Sequence, residues 1–216
     1  ARLCFGAIGT DFAVANRNDV QALVYAYLIG IGLAQIIYGT ISDVVGRRPA
    51  LLAGLAIYGL GTILALTTDS FSTLILARFV QGVGAAAGRV LAVTIVRDRF
   101  EGREMARIMS LVMMVFLTVP IVAPALGSLI LTVGSWHLIF AAMLALGAVL
   151  TVWFAVRMPE TLHPEYRMPF SLRSIWAGIV VTVTTRRAFG YASAMGFMMG
   201  ALMSYIGSAA QVFDTD

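Results

Sequence analysis

The stretch "GTISDVVGRRP", Gly39 to Pro49, joins two long apolar runs and carries its charges at unfavourable helix ends. Read as a turn between two helices, it puts Asp43 at the C-terminal end of the first, where the macrodipole is negative. Arg47 and Arg48 open the second, where it is positive. Each placement costs a few tenths of a kcal/mol to about 1 kcal/mol. The reason for keeping these charges therefore lies outside their own helices.

Composition supplies part of that reason. The chain has 216 residues, 60% hydrophobic and only 12% charged, with a mean hydropathy of +0.90. A soluble domain is nearer 45–50% apolar and about 25% charged. So little polar surface cannot cover a water-facing globule, and the chain reads as an all-α integral membrane protein. Residues 20–41, 50–68, 71–96, 108–133, 136–156 and 188–210 form six runs of the length that spans a bilayer as a helix. A partial apolar segment, 1–15, precedes them. Asp11 and the lack of a small-residue cleavage pattern argue against reading it as a signal peptide.

All fifteen basic residues are arginine. The turns at 42–49, 97–107 and 157–187 are rich in them, whereas the opposite turns, 67–73 and 134–135, have none. The positive-inside rule puts the Arg-rich side in the cytoplasm, so Arg47 and Arg48 hold their turn there. The net charge of +4 then reports topology, not nucleic-acid binding.

Three ionisable residues fall within apolar segments, where such groups are expensive and mark function. Arg78 and Arg89 are eleven residues apart, which returns to the same helix face within about 20° and separates them by about 16 Å. Gly82 and Ala85 lie between them on that face, as expected of a helix side open to a polar cavity. Arg89 is equally readable as a side chain snorkelling to the headgroups. Asp11 is the one acid in an apolar segment. Low dielectric favours a neutral carboxyl unless a cation restores its charge, so such a group suits proton exchange. Its structural alternative is a marker of the segment's end.

"GVGAAAG", Gly82 to Gly88, lies inside an apolar run, so it reads as close helix packing and not as a dinucleotide loop. Pro120 and Pro124 sit in one span and remove backbone donors there, with Gly127 and Ser128 open to a neighbouring helix. Met195, Met198, Met199 and Met203 suit either a pliable pocket or lipid. Cys4 is alone, and His137 and His163 have no partners at metal or nucleophile spacing. No metal, cofactor or enzymatic activity is expected.

The motifs together resemble the major facilitator superfamily. "GTISDVVGRRP" resembles its loop signature between helices two and three, with Gly39, Asp43, Gly46, Arg47 and Arg48 at the motif positions. "LARFVQGVGAAAG" (76–88) resembles its fourth-helix arginine motif, and Arg78, Gln81, Gly82 and Arg89 are the residues taken for that site. "PIVAPALGS" resembles the fifth-helix antiporter motif, carried by Pro120, Ala123, Pro124 and Gly127. "RDRFEGREMARIMS", "SWHLIF" and "PETL" are similar to the bicyclomycin/chloramphenicol-resistance (Bcr/CflA) drug:proton antiporters. Val44 stands where the family has an arginine, and Ala123 and Ser128 stand where it has glycines.

The resemblance implies a six-helix N-terminal bundle with an incomplete first helix (1–156), a cytoplasmic linker (157–187) and a seventh helix (188–213). Its apolar stretch 175–185 is too short to span and reads as an interfacial helix. The resemblance further implies multidrug efflux coupled to protons by alternating access in the bacterial inner membrane. Small amphipathic drugs, protons, the lipid bilayer and a missing C-terminal half are the implied partners. Asp11 and Arg78 would couple the proton. Asp43 would dock on a helix of the second half and latch the outward-open state. The alternative is a non-transporting membrane scaffold, or a binding half that needs a partner.

Overall fold

A computed structural model of the protein describes residues 11–12, 17–162, 165 and 172–212. Among them are seven helices: α1 (Arg17–Val45), α2 (Arg47–Thr67), α3 (Phe71–Arg99), α4 (Gly102–Val133), α5 (Trp136–Arg157), α6 (Leu172–Thr184) and α7 (Arg186–Val212). For α1 to α5 the count of the resembled family runs one ahead of these labels, whereas α6 falls in the expected linker and α7 at the expected seventh helix. The described residues divide into two compact units, one comprising those up to 165 and the other those from 172 on. The segment 1–10, with Cys4, and His163 lie outside the described residues.

The helices outrun the apolar segments that predict them. The turn expected at 42–49 shrinks to Gly46, and that at 97–107 shrinks to Phe100 and Glu101. Apolar runs mark the hydrocarbon layer, but a helix satisfies its own backbone through the headgroup region too. Arg103 and Arg107 therefore belong to the first turns of α4. Pro49 is tolerated as the third residue of α2 because its missing N–H would have no intrahelical partner.

In the first unit, α3 is the centre. It packs along both α1 and α2, and α2 in turn packs on α5. Small residues set these distances, as the "GVGAAAG" pattern leads one to expect. A Cβ on Gly82 would land on the Tyr27 carbonyl of α1, and one on Gly84 would land on the Tyr58 amide of α2. Ala86 and Ala87 are fully buried beside them. Two apolar clusters result. One lies towards the Arg-poor end, around Leu74, Ala77, Trp136 and Phe140. The other lies towards the Arg-rich end, around Tyr38, Leu51, Ala87 and Leu91.

This packing makes a contrast that a single pair of variants reads. Gly84→Ala forces backbone against backbone and should destabilise the bundle by about 1–3 kcal/mol, the usual range for overpacking. Gly88, on the same helix, has open space where its Cβ would go. Gly88→Ala should stabilise by up to about 1 kcal/mol through helix propensity. Thermal unfolding of the two variants in detergent checks the opposite signs.

Of the five helices α1 to α5, α4 is the least covered, with Ile121 77% exposed and the rest of its span open along most of its length. Large apolar residues are likewise exposed around α1 and α5, as expected where lipid is the solvent. Among the described residues, α1 to α5 are the five helices long and apolar enough to cross a membrane. α7 is expected as a sixth and is helical over 27 residues. Gly190, Tyr191, Ser193, Gly196 and Gly200 dilute its hydropathy, and it does not join those five. In this second unit α6 covers 13 residues of the expected linker, too few to span. Thr185 alone separates it from α7, and the backbone bonds Thr185 N–H to Val181 and Phe189 N–H to Thr185 carry the helical path across it.

Candidate functional site

At the Arg-rich end the opening charges find their partners. Arg47 is 7% exposed. Its Nη1 donates to Ser42 Oγ at 2.7 Å and to the Asp43 carboxylate, and its Nε donates to Asp98 Oδ2 at 2.9 Å. One guanidinium thus ties the end of α1, the start of α2 and the end of α3 together. Its fork geometry is what lets it serve three acceptors at once.

The unfavourable start of α2 is neutralised from the segment that follows α5. Glu160, three residues past α5, accepts from Arg47 N–H at 2.9 Å and Arg48 N–H at 3.3 Å. It also accepts from Thr161 N–H and Leu162 N–H. A carboxylate at a helix N-terminus is the favourable placement. Gly46 makes room for it, with φ 106° and a position where a Cβ would collide with the Glu160 carboxylate. Arg48 reaches the other way, donating from Nη2 to the Ala155 carbonyl at 2.6 Å in the last turn of α5. A cation at the wrong end of its own helix sits at the right end of another.

Burial alone would raise the Glu160 pKa, but the backbone N–H groups of Leu162, Arg47, Arg48 and Thr161 outweigh it and hold it below the ordinary 4.5. A depressed folded pKa gives stability that is complete above the ordinary value and is lost as pH falls through the lowered one. Glu160→Gln should therefore cost about 1–2 kcal/mol at pH 7, where a charge-assisted cap becomes a neutral one. The gap between variant and wild type should close as pH falls below 4.5. Unfolding temperatures measured from pH 7 downward check this.

Towards the Arg-poor end, a second polar group interrupts the apolar bundle. Gln81 is fully buried. Its Oε1 accepts from Arg78 Nη1, and its Nε2 donates to Thr62 Oγ1 at 2.9 Å. Thr62 donates its own hydroxyl hydrogen bond to the Tyr58 carbonyl at 2.8 Å. The Arg78 guanidinium also lies 4.5 Å from the Tyr27 ring centroid and 5.8 Å from that of Phe140, and its Nε faces the Leu23 carbonyl. The motif residues Arg78, Gln81 and Gly82 thus form one cluster bridging α1, α2, α3 and α5. Arg89 does not join it. The face between the two arginines is not open throughout, because Tyr27 closes over Gly82.

Asp11 meets α5. Its Oδ2 accepts from Trp136 Nε1 at 2.6 Å. Trp136 is 1% exposed and packs edge-on against Phe140 at 5.8 Å between centroids. The described contacts therefore link Asp11 to Arg78 through Trp136 and Phe140, one turn apart on α5. Trp136 was not singled out from sequence. A signal existed: a buried indole N–H needs an acceptor, and Asp11 is the acid available in the first segment.

α4 continues as a helix through Pro120 and Pro124, whose side chains lie outside the described residues. Ala123 is exposed, and nothing lies within 4 Å of a Cβ on Gly127. The close approach expected at Gly127 is not made by any described helix, because α4 is covered only lightly by its neighbours α3 and α5. A cavity of about 470 Å³ between α1 and α2 has an apolar lining that includes Tyr38, Ile41, Pro49 and Val83. It shares no residue with the polar cluster. Among the described residues no group of three or more His, Cys, Asp or Glu could hold a metal ion.

Comparison with known proteins fits this architecture. The sequence profile of the Major Facilitator Superfamily matches residues 5–216. The chain belongs to that superfamily. It is 35% identical to the uncharacterized MFS-type transporter YdgK of Bacillus subtilis over 97% of this chain and 52% of that protein. It is 42% identical to multidrug resistance protein D of Escherichia coli over 68% of this chain and 37% of that one. A bicyclomycin resistance protein homolog of Haemophilus influenzae is 28% identical over 97% of this chain and 52% of its own length. The chain spans about half the length of these relatives. Among solved structures, the human organic anion transporter MFSD10 (TETRAN) superposes with a TM-score of 0.60 at 19% identity, covering 85% of this chain and 43% of that one. That likeness is one of fold.

Proposed function

We propose that this chain is the N-terminal part of a proton-coupled multidrug exporter that works by alternating access. The observation that carries the reading is the Arg78–Gln81–Thr62 cluster. A buried polar chain joins α2 to α3 inside an otherwise apolar helix bundle, and such groups line solute and ion pathways. The similarity to multidrug resistance protein D supports drugs as the solute class. In this reading Asp11 carries the proton, and Arg78 responds to it through the Trp136–Phe140 contact. The crowding of arginines at one end supports a cytoplasmic placement of the lattice around Arg47, in a bacterial inner membrane.

The latch belongs to the same proposal. The Asp43 side chain remains 43% exposed although it accepts from Arg47. It keeps lone pairs for a second partner, the N-terminus of a helix in the other half of the transporter. α4 and the small residues around Gly127 would likewise pack on that half.

The test is accumulation of ethidium by the intact transporter in proteoliposomes under an imposed pH gradient. Uphill accumulation that collapses with nigericin is expected. Ethidium that only equilibrates would favour the non-transporting scaffold.

A further inference from the structure

Arg89 is the intramembrane charge that neither the lattice nor the polar cluster uses. It lies ten residues before Arg99, so its Cα is about 15 Å from the Arg-rich end of α3. Its guanidinium lies 5.1 Å from the ring centroid of Phe116. Phe116 is fourteen residues into α4, about 21 Å from the same end, because only Phe100 and Glu101 join the two helices. The side chain therefore leans deeper into the membrane, away from the nearer headgroups. Helix geometry gives that direction, since Cα–Cβ bonds tilt toward the helix N-terminus and α3 starts at the opposite face. Snorkelling requires the reverse.

Arg89 is exposed on the bundle, and among the described residues no carboxylate forms an ion pair with it. A ring beneath the guanidinium leaves its edge of N–H donors available. A cation at this depth is expensive in lipid, and it is retained where it faces water or a ligand. Met113, one turn before Phe116, is 48% exposed and gives the same place a pliable apolar wall. Arg78, about 16 Å away along α3, is already engaged with Gln81, Tyr27 and Phe140.

We infer that Arg89, Phe116 and Met113 form a subsite for the carboxylate of an aromatic amphiphile. The guanidinium fork takes the carboxylate by paired charge-assisted hydrogen bonds, and the substrate's ring lies against Phe116. The inference rests on the transporter reading and specifies one class of its substrates.

Binding of 1-naphthoate and of tetraphenylphosphonium to the intact protein in phosphatidylcholine nanodiscs tests it without requiring transport. Arg89→Ala should weaken naphthoate by about tenfold or more and tighten tetraphenylphosphonium, because a like charge has gone. Arg89→Lys should recover only part of the naphthoate affinity, since the charge remains but the paired fork does not. In phosphatidylglycerol nanodiscs the wild-type naphthoate affinity should hold within about threefold. Loss of binding there would assign Arg89 to anionic lipid headgroups and overturn the inference. So would a wild type that binds no naphthoate, or an alanine variant in which both ligands change alike. Failure of pH-driven ethidium accumulation rejects the transporter reading separately.

Discussion

Asp11→Asn in the intact transporter should reduce pH-driven drug accumulation to the level of protein-free vesicles, while drug binding stays within about threefold. The Asn side chain copies the shape of a protonated Asp and still offers an oxygen to the Trp136 indole, a donor-only group that must be satisfied when buried. What it lacks is a proton to release. The substitution keeps the indole's acceptor, because the amide oxygen can stand where Oδ2 takes the indole N–H. A loss of folding is not expected, since the Phe12, Phe71 and Trp136 ring contacts around the site do not involve the carboxyl. Downhill exchange of drug should survive. If the variant concentrates drug as the wild type does, Asp11 marks only the end of its segment.

Arg47→Ala should be the most damaging single truncation at the Arg-rich end, costing about 3 kcal/mol. Removing one partner of a buried ion pair leaves uncompensated charge, which typically costs 3–5 kcal/mol. The half-exposed Asp43 keeps the value towards the low end, because solvent takes over part of its compensation. Asp98, with 24% exposure, has less access to water and should dominate the loss. Arg47→Lys should recover part of the stability but not all of it. An ammonium cannot hold Ser42, Asp43 and Asp98 with the planar fork's spacing. A double-mutant cycle with Asp98→Asn separates the contributions. The pair should cost less than the sum of the singles, because removing the acid removes the unpaired charge. Additive costs would mean that Arg47 stabilises by packing alone.

These two sites show what sequence reveals and what it leaves out. Hydropathy located α1 to α5 because the bilayer imposes one length on every span. The spacing of Gly82, Gly84 and the alanines announced close packing, because only small residues let backbones touch. Arg78 stood out because a charge in a span demands a reason. The partners were harder. Glu160 meets Arg47 across 113 positions, and Trp136 meets Asp11 across 125. Such pairs depend on the rotation of one helix against another, which an apolar run leaves undetermined. Even so, counting spans places Glu160 and Arg47 at the same end of the bundle with opposite charge. That arithmetic was available and would have named the cap of α2. Gly127 shows a different limit. An open position on a helix permits a neighbour but does not supply one, and no described helix comes near it. α7 has the length expected of it, 27 residues, although Gly, Ser and Tyr lower its mean hydropathy.

Coupling of drug to proton is the centre of the account, and proton release on drug binding measures it directly. Tetraphenylphosphonium added to the intact, detergent-solubilised protein in weakly buffered solution near neutral pH should acidify the medium by up to one proton per binding event. Asp11→Asn should bind the drug and release none. Equal acidification by wild type and variant, or binding by the wild type with no change in pH, would contradict the assignment of Asp11 as the proton carrier.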